Sequence, residues 1–434
     1  MPGPHDERTF ETGVVHELTT LSGWSEQPPS VYDRDLRFVP SDLETFLRAT
    51  QADKVEQLEQ RMGEGWLRKT VTIITDSMKQ PGATLKYLRE GKEVHGVHLD
   101  LAYFKPTSGR NPDLVARYDA NVCTVIRQVP YSPDHANTVD LALVVNGFPV
   151  VSAELKNGTG QTVTDAVDQY EDDRDPRDTF LSRRCVVHFA VDPYLCQMTT
   201  QLKRDETVFL PFNRGSSPDE RAGAGNWQPE DGSHPTSYLW RNVWQRDNWL
   251  ELIQRFIHVE HPDPDEPLKA PTLIFPRYHQ WDCVRQFVAH ARGHGSGHNL
   301  LAMHSTGSGK TNTIGWLAHR LANLFDADDH KVFDKVVVIS DRRVLDRQLQ
   351  DKIEQFEKAN AKGMVVAIKE SSEQLRQALE SKTAKIIITT IQKFPYITET
   401  LDRLQGSRFA AIIDEAHSSP VSYTHLTLPT ICSV

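Results

Sequence analysis

Two groups of residues in this chain have the types and spacing to act on phosphate esters. The first is Asp140 together with Glu154-Leu155-Lys156. Asp140 and Glu154 offer the hard carboxylate oxygens that Mg²⁺ prefers, and Lys156 can stabilise an attacking hydroxide or the charge that develops. The second is His304-Ser-Thr-Gly-Ser-Gly-Lys-Thr311, answered by Ile412-Ile-Asp-Glu-Ala-His417. Gly307, Ser308 and Gly309 let the backbone curl so that its N–H groups face phosphate oxygens. Lys310 places a charge on the β- and γ-phosphates and Thr311 supplies a hydroxyl to Mg²⁺. Asp414 holds that ion through water, and Glu415 orients the attacking water. ATP and Mg²⁺ are the cofactors these residues imply.

Each group needs particular elements around it. An apolar strand at 300–303 precedes the glycine-rich loop. A helix with Ile314, Leu317, Ala318 and Leu321 on one face follows, which sets the phosphates at a helix N-terminus. A strand at 410–413 delivers Asp414 and Glu415. The carboxylates need a hairpin: 138–145 alternates, Asn146-Gly147 marks a tight turn, and 150–155 runs as the return strand. Register decides whether they meet. A two-residue Asn146-Gly147 loop pairs 145 with 148 and sets Asp140 opposite Ala153, leaving Glu154 on the other face. A three-residue loop, with Phe148 as third member and Gly147 left-handed in a bulge, pairs 140 with 154. Glu154 and Lys156 share a face by the period of two. The chemistry therefore predicts a bulged hairpin.

The 434 residues suffice for two or three domains. With 25% charged and 38% hydrophobic residues the composition is that of a globular protein. There is no run of about 18 apolar residues, so no membrane span is expected, and the polar N-terminus lacks an apolar signal segment. Cys123, Cys185, Cys196, Cys283 and Cys432 form no Cys-x-x-Cys pair and read as reduced thiols of a cytoplasmic protein. A net charge of −10 argues against strong DNA affinity by the chain as a whole, although a local basic groove can sit on an acidic protein.

Residues 1–30 read as a polar segment that folds late or onto a neighbour. A helix is expected over 43–62, strands over 96–104, 122–129 and 185–191, and a helix over 165–170, so that 31–212 forms one β-rich domain. Residues 213–237 are dense in Gly, Ser and Pro and read as a surface loop or linker. An amphipathic helical pattern over 238–259 opens a second domain, 238–420. Its apolar runs at 299–303, 335–340, 364–368, 385–390 and 409–413 alternate with helical stretches, which predicts a parallel α/β sheet.

Several motifs carry a resemblance. Asp414-Glu-Ala-His417 resembles superfamily 2 helicases. Arg277-Tyr-His-Gln280 resembles the Gln motif of that group, in which the amide reads adenine. Asp341-Arg342 and Thr389-Thr-Ile-Gln392 stand where its first motor lobe contacts the DNA backbone, and Arg342, Arg343 and Arg347 read either as phosphate contacts or as a solvated helix face. Glu154-Leu-Lys-Asn-Gly-Thr-Gly-Gln-Thr162, Asp165-Ala-Val-Asp-Gln-Tyr170 and Asp173-Arg-Asp-Pro176 resemble the N-terminal nuclease of type I restriction endonuclease R subunits. That family's Gln-x-x-x-Tyr motif is matched at Tyr170 but holds Ala166 at the Gln position, with Gln169 adjoining. The resemblance spans 36–419. It implies an α/β architecture: a PD-(D/E)xK-type nuclease with a mixed sheet and flanking helices, then a RecA-like parallel first motor lobe. Residues 421–434 resemble a translated sequencing adapter and read as a non-native scar, which makes the chain the front of a longer protein.

The resemblance implies ATP-driven translocation and cleavage of unmodified double-stranded DNA, alongside a methyltransferase subunit and a DNA-specificity subunit. Two other functions fit the same residues: a helicase–nuclease of repair or phage defence without a methylase partner, and a non-catalytic binding module with a decayed nuclease core. His290, His294 and His298 recur every four residues and on one helix could bind Zn²⁺, but no Cys or carboxylate completes the set. Gly293, Gly295 and Gly297 are expected to break any helix there and leave a solvated loop.

Overall fold

The computed structural model describes residues 7–107, 110–218, 224–262, 270–305, 307–340, 349–354, 364–368, 371–390, 406–414 and 432–433. The chain divides into two compact units. One is Met1–Pro106 with Asn111–Tyr278, the other Thr107–Arg110 with His279–Val434.

The first unit opens with helix α1 (Glu7–Leu21) and strand β1 (Ser25–Gln27). Helices α2 (Pro40–Thr50), α3 (Ala52–Met62), α4 (Trp66–Ser77) and α5 (Ala83–Glu90) follow, then a small hairpin of β2 (Lys92–Val94) and β3 (Val97–Leu99), and helix α6 (Pro112–Asp119). The sheet-forming stretch is β4 (Cys123–Val129), β5 (Val139–Val145), β6 (Phe148–Leu155), helix α7 (Val163–Asp168), β7 (Val187–Val191), β8 (Cys196–Thr199) and β9 (Leu210–Pro211). Helix α8 (Arg246–Glu251) and the hairpin of β10 (His258–Glu260) with β11 (Thr272–Ile274) close the unit. The seven-stranded sheet runs β1-β4-β5-β6-β7-β8-β9. β4, β5 and β6 form an antiparallel meander, and α7 carries the chain across to β7, parallel to β6. Every residue of β5 and β6 is buried, so both faces of the hairpin are covered and any polar group on it needs a partner.

Several sequence expectations change here. Of residues 1–30, those from Glu7 onward fold onto neighbouring elements. α1 buries Phe10, Val14, Val15 and Leu18, a helical stripe set in polar surroundings. It is pinned through Ser22 Oγ to Trp240 O (2.6 Å), Trp24 Nε1 to Trp244 O (2.5 Å) and an Arg241–Glu17 ion pair. The helix expected over 43–62 breaks at Gln51, whose buried amide exchanges two hydrogen bonds with the backbone of Asp100. Of the strand expected at 96–104 only Val97–Leu99 pairs. The 213–237 segment does not link the two units: both its flanks lie in the first unit. Asn213 Oδ1 accepts from Cys196 N, and Arg214 stacks 3.8 Å over Trp227. The expected domain start at 238 moves accordingly to about Tyr278. The pattern over 238–259 is helical but broken into Leu239–Val243, Arg246–Glu251 and Leu252–Phe256.

In the second unit, helix α9 (Tyr278–His294) precedes β12 (Leu300–Leu301) and helix α10 (Lys310–Ala322). Then come β13 (Lys335–Ser340), β14 (Val365–Ala367), a helix at Ser372–Glu380, β15 (Ile386–Thr390), β16 (Phe409–Ile413) and β17 (Cys432–Ser433). All pairings in its six-stranded sheet are parallel, in the order β12-β17-β16-β13-β15-β14. Each of the five expected apolar runs supplies a strand. Val337, Ile339, Ile387, Phe409, Ala411 and Ile413 form one core face against Leu375, Ala378 and Leu379 of the Ser372–Glu380 helix. The segment set aside as a scar lies outside the described residues except Cys432–Ser433, which pair between β12 and β16.

Candidate functional site: a carboxylate hairpin and a phosphate loop

The β5–β6 turn is a two-residue loop, with Val145 paired to Phe148. Asn146 (φ +49°) and Gly147 (φ +87°) are both left-handed, as a type I′ turn requires. A Cβ on Gly147 would lie 2.4 Å from the Phe38 ring and 2.5 Å from Val39 O, so no larger residue fits. The Asn146 side chain is buried and bound to Leu101 O, Asn121 Oδ1 and Val122 N. A two-residue loop alone would separate the carboxylates. The register shifts further along: Leu143 pairs with Val151 but Val144 pairs with Pro149, which leaves Val150 as an extra residue. The expected bulge is therefore present, but within β6 and not at the turn. Pro149 was its signal in the sequence, because a proline in a central strand is confined to bulges.

With Leu141 opposite Ala153, the register sets Asp140 opposite Glu154. Asp140 Oδ2 accepts from Leu155 N (2.8 Å). Glu154 is wholly buried. Burial first, then the Asp140 charge, push its carboxyl well above the usual range, against the opposing pull of Arg174. Arg174 Nε and Nη2 both reach Glu154 Oε1 (2.9 and 2.8 Å), and Nη2 also donates to Thr138 O. Glu154 Oε2 is shut off from solvent with no hydrogen-bond donor. Lys156 is buried as well, with its Nζ 3.7 Å from Glu7 Oε1 of α1.

Sequence reasoning missed the remainder of this cluster. Gln128 faces Asp140 across β4–β5 and holds a strained left-handed backbone (φ +49°). Its Nε2 donates to Glu11 Oε2 (2.9 Å) and to Asp140 Oδ1 (3.3 Å). Glu11 is buried on α1, and burial raises its carboxyl above the ordinary range, with Asp140 adding to the effect. Glu7 and Glu11 thus bring α1 across Lys156 and Asp140. Tyr170 packs in the core, its hydroxyl 2.8 Å from Ser152 Oγ, which in turn meets His188 Nδ1 at 2.7 Å. Gln169 begins a π-type turn (Gln169–Asp173), and its Oε1 is buried without a partner.

In the second unit β12 leads into the glycine loop, and α10 starts at Lys310, with Thr311 in its first turn. Gly307 (φ +78°) and Gly309 (φ +81°) are left-handed. Gln280, in the first turn of α9, donates from Nε2 to Ser308 O (3.1 Å) and Gly309 O (2.9 Å). His279 Nε2 donates to Ser308 O at 3.1 Å. Ser308 Oγ is buried without a partner, which suits a loop that takes phosphate oxygens. Asp414 follows β16 and its N–H bonds Ile339 O (3.0 Å). In a parallel sheet the ends of β12 and β16 share one edge, where ligands bind in such folds. Glu415, Thr306, Asp341, Arg342, Arg343, Arg347 and Gln392 lie outside the described residues; Thr389 and Thr390 are buried on β15.

Four of the five cysteines, Cys123, Cys185, Cys196 and Cys283, are buried free thiols. Among the described residues no helix is long and apolar enough to cross a membrane. Gly293, expected to break the histidine segment, lies inside α9, which continues to His294.

The two units thus carry a buried acidic hairpin and a glycine loop that opens onto the first turn of α10. The family described as "Type I restriction enzyme R protein N terminus" matches residues 5–207, and that described as "SWI2/SNF2 ATPase" matches 279–432. The chain is similar, across both units, to the endonuclease subunits of type I restriction enzymes. It is 27% identical over 311 residues to the "Type I restriction enzyme SauCOLORF180P endonuclease subunit" of Staphylococcus aureus (strain COL), covering 70% of this chain and 30% of that one. It is 24% identical over 280 residues to the "Putative type I restriction enzyme MjaVIIIP endonuclease subunit" of Methanocaldococcus jannaschii, covering 60% and 24%. The chain therefore spans under a third of these relatives' length. Among solved structures, the UvsW helicase from bacteriophage T4 is 16% identical over 43% of this chain and 59% of that one, with a TM-score of 0.30, too low to carry an argument.

Proposed function

We propose that the first unit is a PD-(D/E)xK-type nuclease that cuts double-stranded DNA with Mg²⁺, and that the second is the first, RecA-like lobe of an ATP-driven DNA motor. The whole protein would be the restriction and motor subunit of a type I enzyme. It would work in the cytoplasm with a methyltransferase subunit and a DNA-specificity subunit.

One observation carries the reading: Glu154 Oε2 is buried and undonated beside a second carboxylate. A buried carboxylate oxygen without a donor is costly unless a cation takes its place. Asp140 and Glu154 would hold the ion, which supplies Lewis-acid polarisation and an activated water. Arg174 occupies Glu154 Oε1 and so turns Oε2 toward Asp140. Lys156 stands two residues along the same face, placed to stabilise negative charge as it develops. In the second unit Gly307, Ser308, Gly309, Lys310 and Thr311 would bind the phosphates and Mg²⁺ of ATP. Asp414 would complete the metal's shell, Glu415 would orient water, and Gln280 would fix the loop and read adenine.

In the full-length enzyme with its partners, Glu154→Ala or Lys156→Ala should abolish cleavage and leave ATP hydrolysis near normal. Those residues belong to the first unit, and the phosphate loop to the second. Retained cutting by both variants would remove this hairpin from the reaction.

A further inference from the structure

The β4 ladder is interrupted opposite Asp140. Arg127 pairs with Leu141 and Val129 with Val139, while Gln128 stands between them with a left-handed backbone (φ +49°). Successive side chains of a regular strand leave on opposite faces, yet Arg127 and Gln128 both reach Glu11 of α1. Arg127 Nε lies 3.7 Å from Glu11 Oε1, and Gln128 Nε2 donates to Glu11 Oε2 at 2.9 Å. The same Nε2 donates to Asp140 Oδ1 at 3.3 Å. Gln128 Oε1 accepts from Thr138 Oγ1 at 3.0 Å, which turns the amide so that its NH₂ faces the two acids. Asp140 is thereby held at both oxygens, Oδ1 by Gln128 and Oδ2 by Leu155 N.

Glu11 and Asp140 are buried, whereas Gln128 itself is exposed. An exposed side chain adds little to the core, and a non-glycine residue at positive φ carries backbone strain. Packing therefore gives no reason for this residue in this conformation. What the conformation gains is one neutral donor shared by two carboxylates. A Lys or Arg in its place would pair with the acids and cancel their charge. An amide draws them together and leaves the negative potential that attracts a cation.

Resting on the nuclease reading of Asp140 and Glu154, we propose that Gln128 is a positioning residue of the divalent-cation site. Its amide clamps Glu11 of α1 to Asp140 of β5, fixes the orientation of the Asp140 carboxylate, and acts on the ion only through those two acids.

The test measures Mn²⁺ binding to the nucleotide-free 434-residue chain by calorimetry, together with thermal unfolding. Gln128→Gly removes the amide and relieves the left-handed strain. It should keep the melting midpoint and weaken Mn²⁺ binding about tenfold or more. Gln128→Lys should raise the midpoint by pairing with both acids, yet weaken Mn²⁺ binding further. In a Glu11→Gln background the effect of Gln128→Gly should shrink, because one anchor of the clamp is gone. In the full-length enzyme, Gln128→Gly should raise the Mg²⁺ concentration for half-maximal cleavage about tenfold and leave the rate at saturating Mg²⁺ within about threefold. Unchanged Mn²⁺ affinity in both Gln128 variants, with affinity lost in Asp140→Asn and Glu154→Gln, would overturn the clamp and leave the nuclease reading standing. A large fall in the melting midpoint of Gln128→Gly would mean that Gln128 supports only the fold, and would overturn the clamp as well. Mn²⁺ binding indifferent to Asp140→Asn and Glu154→Gln would overturn both readings.

Discussion

Arg174 opposes the upward shift that burial and Asp140 impose on Glu154, which on the proposed nuclease reading tunes the pH range of the carboxylate pair. Glu154 sits above its ordinary pKa in the folded chain, so the folded state keeps a proton that the unfolded chain releases. Without metal, that group's share of stability is present at low pH and lost as pH rises through its folded value. Metal binding needs the ionised form and runs the other way. The Mg²⁺ concentration for half-maximal cleavage should therefore rise as pH falls. Arg174 opposes the upward shift, so Arg174→Gln should move the acid limb of the cleavage–pH profile to higher pH, and Arg174→Lys should restore part of it. Equal loss at all pH values would mean that Arg174 only supports the fold. Residue type and spacing singled out Asp140, Glu154 and Lys156, and the register sets the first two opposite one another. Arg174, Glu11 and Gln128 were not legible in the sequence, because their roles depend on strand pairing and on α1 folding over the hairpin.

At the scale of elements, the β6 bulge decides whether the hairpin can work. Deleting Val150 while keeping the Asn146-Gly147 turn restores an even ladder and turns Glu154 away from Asp140. Cleavage should vanish in the full-length enzyme while ATP hydrolysis persists; a deletion variant that folds and still cuts would refute the face argument. The phosphate loop has its own constraint. A Cβ on Gly309 would fall 2.4 Å from Gln280 Nε2, and the left-handed backbone there disfavours any side chain. Gly309→Ala should cost about 1–2 kcal/mol locally and weaken nucleotide binding about tenfold, as measured by fluorescent-nucleotide titration. The strands of the second unit were readable because each is a short apolar run. Helix breaks such as Gln51 were not, because the competing partner, the Asp100 backbone, lies 49 residues away.

At the scale of the molecule, both sites are built on frames whose parts are far apart in sequence. On the proposed motor reading, the second unit would carry one side of a nucleotide cleft, and transition-state charge in such motors needs groups from across it. The 434-residue chain should bind ATP weakly and hydrolyse it slowly or not at all, whether or not DNA is added. Robust DNA-stimulated turnover by this chain would show that its own residues complete the cleft. The boundary near Tyr278 was hidden because the 213–237 loop has the composition of a linker. Asn213, Arg214 and Trp227 tie it down through contacts that composition does not record.

The extra residue in β6 also bears on how this hairpin can change over generations. An insertion or deletion of one residue within β5 or β6 between Asp140 and Glu154, with the turn and the remaining pairing kept, puts the two carboxylates on opposite faces. Even-numbered changes, an odd change taken up in the turn, or an odd change offset by gain or loss of a bulge keep the pair together. On the proposed nuclease reading, descendants of this hairpin could differ in motif spacing and still cut, while a neighbour with identical spacing and no bulge would be inert. A search that fixes the distance between the two acids will accept some dead copies and reject some live ones; one that counts parity, and looks for a proline in the return strand, will sort them better.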